Sequence, residues 1–170
     1  MSSEIIFSSA KELSERIHNK DVSAREVMEA HLEQIEKVNP QVNAIVSLLD
    51  PERAIEHAVD KDRDFSLGTI PGPMFGFPHA VKDLWDAAGF PTTNGSPLFR
   101  DNIATQDALI VQRIRRAGGI IIGKTNVPEF GLGSHTYNRV FGACHNPYDL
   151  TKSAGGSSGG AAAAVASGML

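Results

Sequence analysis

Hydroxyl, amine and glycine come together at two places in this sequence of 170 residues, and each spacing matches a chemical device. Gly155-Gly156-Ser157-Ser158-Gly159 fits G-x-S-x-G, the turn that presents a nucleophilic serine, and the frame one residue later fits it as well. That turn needs an apolar strand directly before it. Asn146 to Ser153 reads instead as a polar loop, so a serine-hydrolase elbow is a poor match. A flexible Gly/Ser linker is the plain alternative, and the alanine-rich helix that starts at once weighs against it. Gly118 to Thr125 fits G-x-x-x-x-G-K-[ST], the phosphate loop. Such a loop curls so that its N–H groups converge on an anion, whereas Ile120, Ile121 and Ile122 favour an extended, buried strand. Pro128 also interrupts the helix that should follow. The preferred reading is a core strand with Lys124 at its end.

Metal and redox chemistry find little support. The six histidines contain no i, i+4 pair of the kind that holds zinc on a helix. His18, His31 and His57 fall on expected helices and read as solvated faces, while His135 and His145 fall in loops. No metal or cofactor is expected. Cys144 is the only cysteine, so it forms no internal disulfide and suits a reducing cytoplasm.

The elements that must carry these residues are legible from caps and periodicity. Ser9-Ala10-Lys11-Glu12 is a capping box for a helix to about Asn19, and Ser23-Ala24-Arg25-Glu26 is a second. The second helix carries Val27, Met28, Leu32, Ile35 and Val38 at helical spacing and is expected to end at Pro40. Ala44 to Leu49 reads as a strand, and Pro51 opens a third helix through Ala58. Residues 1–60 thus form a mainly helical segment. After the Gly/Pro-rich stretch Gly68 to Pro78, an amphipathic helix spans Asp107 to Ala117. Gly118-Gly119 breaks it, and the isoleucine strand follows. Helix, glycine break and β-branched run is the rhythm of an α/β protein, here a mixed β-sheet core flanked by helices. A last helix covers the alanines from Ala161 and stops at Gly168.

Composition sets the outer limits. Apolar residues make up 41% and charged residues 21%, ordinary values for a globular chain with a sizeable core. The net charge of −4 and the lack of a basic stripe argue against direct nucleic-acid binding. No run approaches the roughly 18 apolar residues of a membrane helix, and Met1-Ser2-Ser3-Glu4 has no signal-peptide character. The expectation is a cytoplasmic protein.

Taken in order, four segments resemble the amidase signature family. They are Gly76-Phe77-Pro78-His79-Ala80-Val81-Lys82-Asp83, then Gly89-Phe90-Pro91-Thr92-Thr93-Asn94-Gly95-Ser96, then Ala117 to Phe130, and last Asn146-Pro147-Tyr148-Asp149 with Ser153-Ala154 and Gly155 to Gly160. The resemblance implies an amidase signature fold and hydrolysis of a carboxylic amide through a Ser-cisSer-Lys triad. It implies that Lys82 is the triad lysine and Ser157 the bridging serine, joined to Gly156 by a cis peptide bond. Ser158 and Gly156 would support them, and Gly131, Gly133 and Ser134 would line the substrate pocket. The acylated serine would lie in a later glycine-rich motif beyond Leu170. The 170 residues are therefore expected to be the N-terminal part of one amidase domain, truncated before the nucleophile and inactive alone.

The residues suit those roles. A serine hydroxyl attacks only when a base removes its proton. Lysine, with a pKa near 10.4, becomes that base only when burial favours its neutral form. The plain alternative is a surface lysine paired with Asp83. The implied partner is a small-molecule amide, with a homodimer possible. Two rivals accompany this reading: the glutamine-hydrolysing subunit of a tRNA-dependent amidotransferase, and a nucleotide-binding protein using Lys124 and Thr125. Pro128 to His135 looks more like stand-alone amidases.

Overall fold

The computed structural model describes residues 2–170. Four helices occupy the first part: α1 (Ser2–Ile6), α2 (Ala10–His18), α3 (Ala24–Val42) and α4 (Pro51–Ser66). The caps behave as expected. Ser9 accepts from Glu12 N, and Ser23 and Glu26 form the full reciprocal capping box. α1 has no counterpart among the expected elements.

Two helix ends differ from expectation. α3 runs through Pro40 to Val42 and ends at Asn43, which is left-handed (φ 54°). Proline this close to the end removes only one hydrogen bond from the ladder. Asn39 then secures the exit: its Oδ1 accepts from Ala44 N and Ile45 N, and its Nδ2 donates to Ile45 O. α4 continues to Ser66, eight residues past the expected end at Ala58. Its extra turns hold Arg63 2.9 Å from Asp60. They also aim Asp62 at the start of α3, where its carboxylate accepts from Ala24 N and Arg25 N. A carboxylate at a helix N-terminus satisfies free N–H groups and complements the dipole.

The central sheet has three strands in the order β1 (Ile45–Val46), β3 (Ile120–Thr125), β2 (Pro78–Lys82). β1 therefore interrupts the helical N-terminal segment. It pairs antiparallel with β3, and β2 pairs parallel with β3. The expected strand from Ala44 to Leu49 shortens to two residues because Ser47 turns left-handed (φ 50°). The flanks still follow β3, with Asn126 N donating to Ala44 O and Leu49 N to Ile122 O.

Every residue of β3 is buried, as a strand covered on both faces requires. One face packs on Met28, Ile35, Ala58 and Ala164. The other packs on Val111 and Ile114 of α5 (Leu109–Arg116), with Val81 and Phe90. Leu109 and Ile110 are exposed rather than on the buried side of α5. Asp107, expected to open this helix, instead accepts from Ala88 N and pairs with Arg115 at 2.9 Å. Gly118 makes the break sharp. It sits at φ 99°, and a side chain there would meet the Phe75 backbone at 2.6 Å.

Two short hairpins follow, β4 (Tyr137–Asn138) with β5 (Gly142–Ala143) and β6 (His145–Asn146) with β7 (Asp149–Ser153). The stretch read as a polar loop before Ser157 thus contains a strand. Its side chains are exposed or half-buried along its whole length, so it is a surface ribbon and not the core strand of a nucleophile elbow. α6 (Gly159–Ala166) closes the chain against the sheet.

Candidate active site

β2 and the start of α6 deliver the two groups that meet. Lys82 is the last residue of β2, and its Nζ lies 2.9 Å from Ser157 Oγ and 2.9 Å from Ser158 Oγ, donating to both. The Gly156–Ser157 peptide bond is cis. A side chain at 156 would stand 3.1 Å from backbone atoms of Ser134 and His135, so glycine lets that loop lie flat against the turn. Gly159 N donates to Thr136 Oγ1 at 3.1 Å, which fixes the next residue. Ser158 occupies the N-cap of α6 but makes no side-chain capping bond there. Its hydroxyl faces Lys82 instead.

Gly160 sets the depth of α6. A Cβ there would collide with the backbone of Asn126 and Ala44, so the helix backbone rests directly on the sheet. Asn126 is the anchor beneath it. Its side chain donates to Asn43 O and accepts from Val127 N and from Asn138 Nδ2. Thr125, the register partner of Lys82 on β3, is buried, and its Oγ1 has no partner among the described residues.

Electrostatics separate two lysines on neighbouring strands. Burial pushes the Lys82 amine below its ordinary pKa, and its side-chain partners among the described residues are the two hydroxyls. Lys124 is wholly buried and pairs with the equally buried Asp83 at 3.2 Å. Its Nζ also donates to Trp85 O, Pro91 O and Thr92 Oγ1 at 2.9, 3.1 and 3.0 Å. Burial lowers its pKa, and the charge and hydrogen bond of Asp83 oppose that shift. The plain alternative for Lys82 paired it with Asp83; the structure gives Asp83 to Lys124. Alternation along a strand puts successive side chains on opposite faces, which is why Lys82 and its sequence neighbour do not meet. A lysine at the end of an isoleucine strand was the sequence signal for this pair, and the reading as a strand-end lysine missed it.

The same bonds answer the phosphate-loop match. Gly118 to Thr125 is a helix exit followed by strand β3, and the Lys124 amine is consumed by four protein oxygens.

Gly131 ends a 3-10 turn at Glu129–Gly131, and Gly133 and Ser134 lie on the loop that follows it. Gly131 is left-handed (φ 70°) and abuts Leu84, and the Ser134 backbone touches Gly156. The loop therefore reaches the Ser157 turn through Ser134 and the strand end beyond Lys82 through Gly131. His31, read as solvated, is buried at 4% exposure, with Nδ1 unpartnered among the described residues. It shares the stripe of Ala24, Val27, Met28 and Ile35 on α3, and the backbone of Gly168 and Met169, beyond α6, lies against it. Burial lowers its pKa, and backbone groups of Gly168 and Met169 oppose this. His79 is likewise lowered by burial. Burial raises the Cys144 thiol to about 11, which makes it a core group and a poor nucleophile. Among the described residues no cluster of three His, Cys, Asp or Glu could hold a metal, and no helix is long and apolar enough to cross a membrane.

An apolar groove of about 670 Å³ opens beside this site. Lys82, Ser158, His79 and Trp85 border it, with Ile110 and Val165 among its apolar lining.

Known proteins resemble this chain in sequence and in fold. A family model described as Amidase matches residues 26–170. An acylamidase from Rhodococcus erythropolis is 44% identical over 161 residues, covering 95% of this chain and 34% of the relative. A glutamyl-tRNA(Gln) amidotransferase subunit from Acidothermus cellulolyticus is 45% identical over 164 residues, covering 96% and 32%. The crystal structure of a bacterial aryl acylamidase of the amidase signature family superposes with a TM-score of 0.89 at 33% identity, covering 96% of this chain and 34% of that one. The chain thus spans about a third of the length of the curated relatives it matches. Order of motifs, fold and sequence agree: the chain belongs to the amidase signature family.

Proposed function

We propose that this chain supplies the base and the bridging serine of an amide hydrolase that works through a Ser-cisSer-Lys triad. The observation that carries the reading is the 2.9 Å approach of Lys82 Nζ to Ser157 Oγ, beside a cis peptide bond. Burial lowers the Lys82 pKa, which raises the fraction of free amine. The neutral amine takes the Ser157 proton as Ser157 takes the proton of the nucleophilic serine. That serine's oxygen bonds to the amide carbon, and the C–N bond then breaks. The proton returns by the same path to the leaving amine, and water hydrolyses the ester in a second pass. In this reading the acylated serine lies outside these 170 residues, which span about a third of the relatives' length. Gly131, Gly133 and Ser134 line the substrate pocket in this reading, and Ser158 steadies the Lys82 amine.

Substrate class follows the stand-alone acylamidases. Pro128-Glu129-Phe130-Gly131-Leu132-Gly133-Ser134-His135 is the segment that favours them. Identity to the amidotransferase relative is as high, so an assay should offer an aryl acylamide and, with partner subunits, glutamine. In the complete enzyme, Lys82→Ala and Ser157→Ala should each lower kcat/KM by about a thousandfold or more. Wild-type turnover in either variant would sink the triad. Residues 1–170 alone should hydrolyse no amide, and Ser157-dependent turnover by them would overturn the division of the triad.

A further inference from the structure

Lys124 and Asp83 sit outside the triad, yet they are tied to its base through one peptide bond and one strand pairing. Asp83 follows Lys82 directly, and its N–H donates to Thr125 O of β3. Its carboxylate is fully buried. It accepts from Thr93 N at 3.2 Å and Thr93 Oγ1 at 2.5 Å as well as from Lys124. Lys124, paired in register with Val81, reaches back across the end of β2 to Trp85 O and Pro91 O. The pair therefore clamps both sides of the turn that ends β2. A carboxylate in that position without Lys124 would be an uncompensated buried charge one residue from the catalytic amine. Opposite charge at short range holds an amine protonated.

We propose that Lys124 is a positioning residue for Lys82: by occupying the Asp83 carboxylate on the far face of the sheet, it fixes the strand end and leaves the Lys82 amine to the serine hydroxyls. The inference rests on Lys82 being the triad base. The other titratable groups on the elements around Lys82 are few. His79 lies on β2, and Lys124 is the only one on β3. His31 of α3 borders the same groove, Asp86 lies beyond the turn, and α6 carries none.

The test reads the Lys82 amine in the 170-residue chain, by NMR of 15N-labelled lysine side chains across pH, with Lys82→Met to assign the signal. Lys124→Met strips the countercharge from Asp83, and the Lys82 midpoint should rise by about one pH unit, a tenfold change in free amine at fixed pH. Asp83→Asn leaves an uncompensated cation instead, and the midpoint should fall. Mere loosening of the strand end would hydrate Lys82 and move both midpoints up. Opposite signs support the proposal; equal signs, or no movement in either variant, overturn it. If Lys124→Met does not fold, Asp83→Asn decides alone: a fall supports the proposal, and a rise or no change ends it. The readout needs no turnover. An active Lys82→Ala enzyme would therefore remove the triad reading while leaving the measured coupling of the three side chains in place.

Discussion

Two lysines on adjacent strands of one sheet have opposite surroundings. Lys124 is wholly buried and meets a carboxylate and three further oxygens. Lys82 is half-buried, borders a groove, and meets two hydroxyls. An ammonium has three donors and no acceptor, so four acceptors around Lys124 suit its charged form. A free amine has one lone pair and two N–H groups, so one hydroxyl can donate to it while it donates to the other, and Lys82 is solvated in either state. Burial lowers the pKa of both, but only Lys124 has an opposing charge. The contrast teaches that exposure alone does not mark a base. In the proposed triad the mark is an amine within reach of hydroxyls, with the carboxylate of the adjacent Asp83 engaged by Lys124.

The strongest way to break this contrast is to exchange the expected consequences. Lys82→Ala should cost about a thousandfold in kcat/KM of the complete enzyme while changing stability by no more than about 0.5 kcal/mol. A large fall in melting temperature for Lys82→Ala would make it a second structural lysine. Lys124→Met should act the other way on stability. Removing one partner of a buried ion pair costs about 3–5 kcal/mol, readable as a shifted urea midpoint in the 170-residue chain. Adding Asp83→Asn should recover part of that loss, with a coupling of about 1–3 kcal/mol. Strict additivity would deny the pair.

The sequence made the outline of this arrangement legible and hid its wiring. Ser9 and Ser23 announce their helices because a cap is a local contract between a side chain and N–H groups a few residues on. Ile120 to Ile122 announce β3 by bulk and branching. The ordered motifs singled out Lys82 and Ser157 across a separation of 75 positions, something no periodicity could do. The burial of His31 was readable, since it falls in step with Val27, Met28 and Ile35, but polarity outweighed spacing in the reading. The Lys124–Asp83 pair was hidden because it depends on strand register and on the path of the loop through Pro91 and Thr93. Those are tertiary facts. Pro40 misled for a similar reason: the penalty of proline is set by its place in the ladder, and the Asn39 side chain secures the exit from that place.

The support beneath the two serines gives a smaller effect. Gly160→Ala would drive a methyl into the Asn126 backbone, and overpacking of this kind costs about 1–3 kcal/mol. A crystal structure of that variant should show α6 lifted from β3, with Ser157 moved away from Lys82. An unshifted α6 and unchanged stability would mean that contact at Gly160 does not set the site's geometry. Ser158→Ala should be gentler, because the hydroxyl makes no capping bond to lose. Its stability change should stay within about 0.5 kcal/mol.

The smallest effect is the dependence of stability on pH, and its sign follows from the Lys82 shift. Unfolded, the amine titrates near 10.4; folded, burial holds it lower. Between those two values the unfolded chain binds more protons, so this group makes stability rise with pH across that window. Below the folded value both states are protonated, and the wild type carries the full penalty of desolvating a charged amine. Lys124 and the histidines contribute slopes of their own, so the comparison must be with Lys82→Met at matched pH. Denaturant midpoints taken from about pH 8 to about pH 10.5 should show the wild type gaining on Lys82→Met as pH rises. The gain should persist when salt is raised, because its cause is desolvation and not a neighbouring charge that salt could screen. A difference that stays flat with pH would place the Lys82 amine in the same environment folded and unfolded. A difference that falls would mean a hidden carboxylate stabilises its charge, and Lys82 would then belong on the same side of the comparison as Lys124.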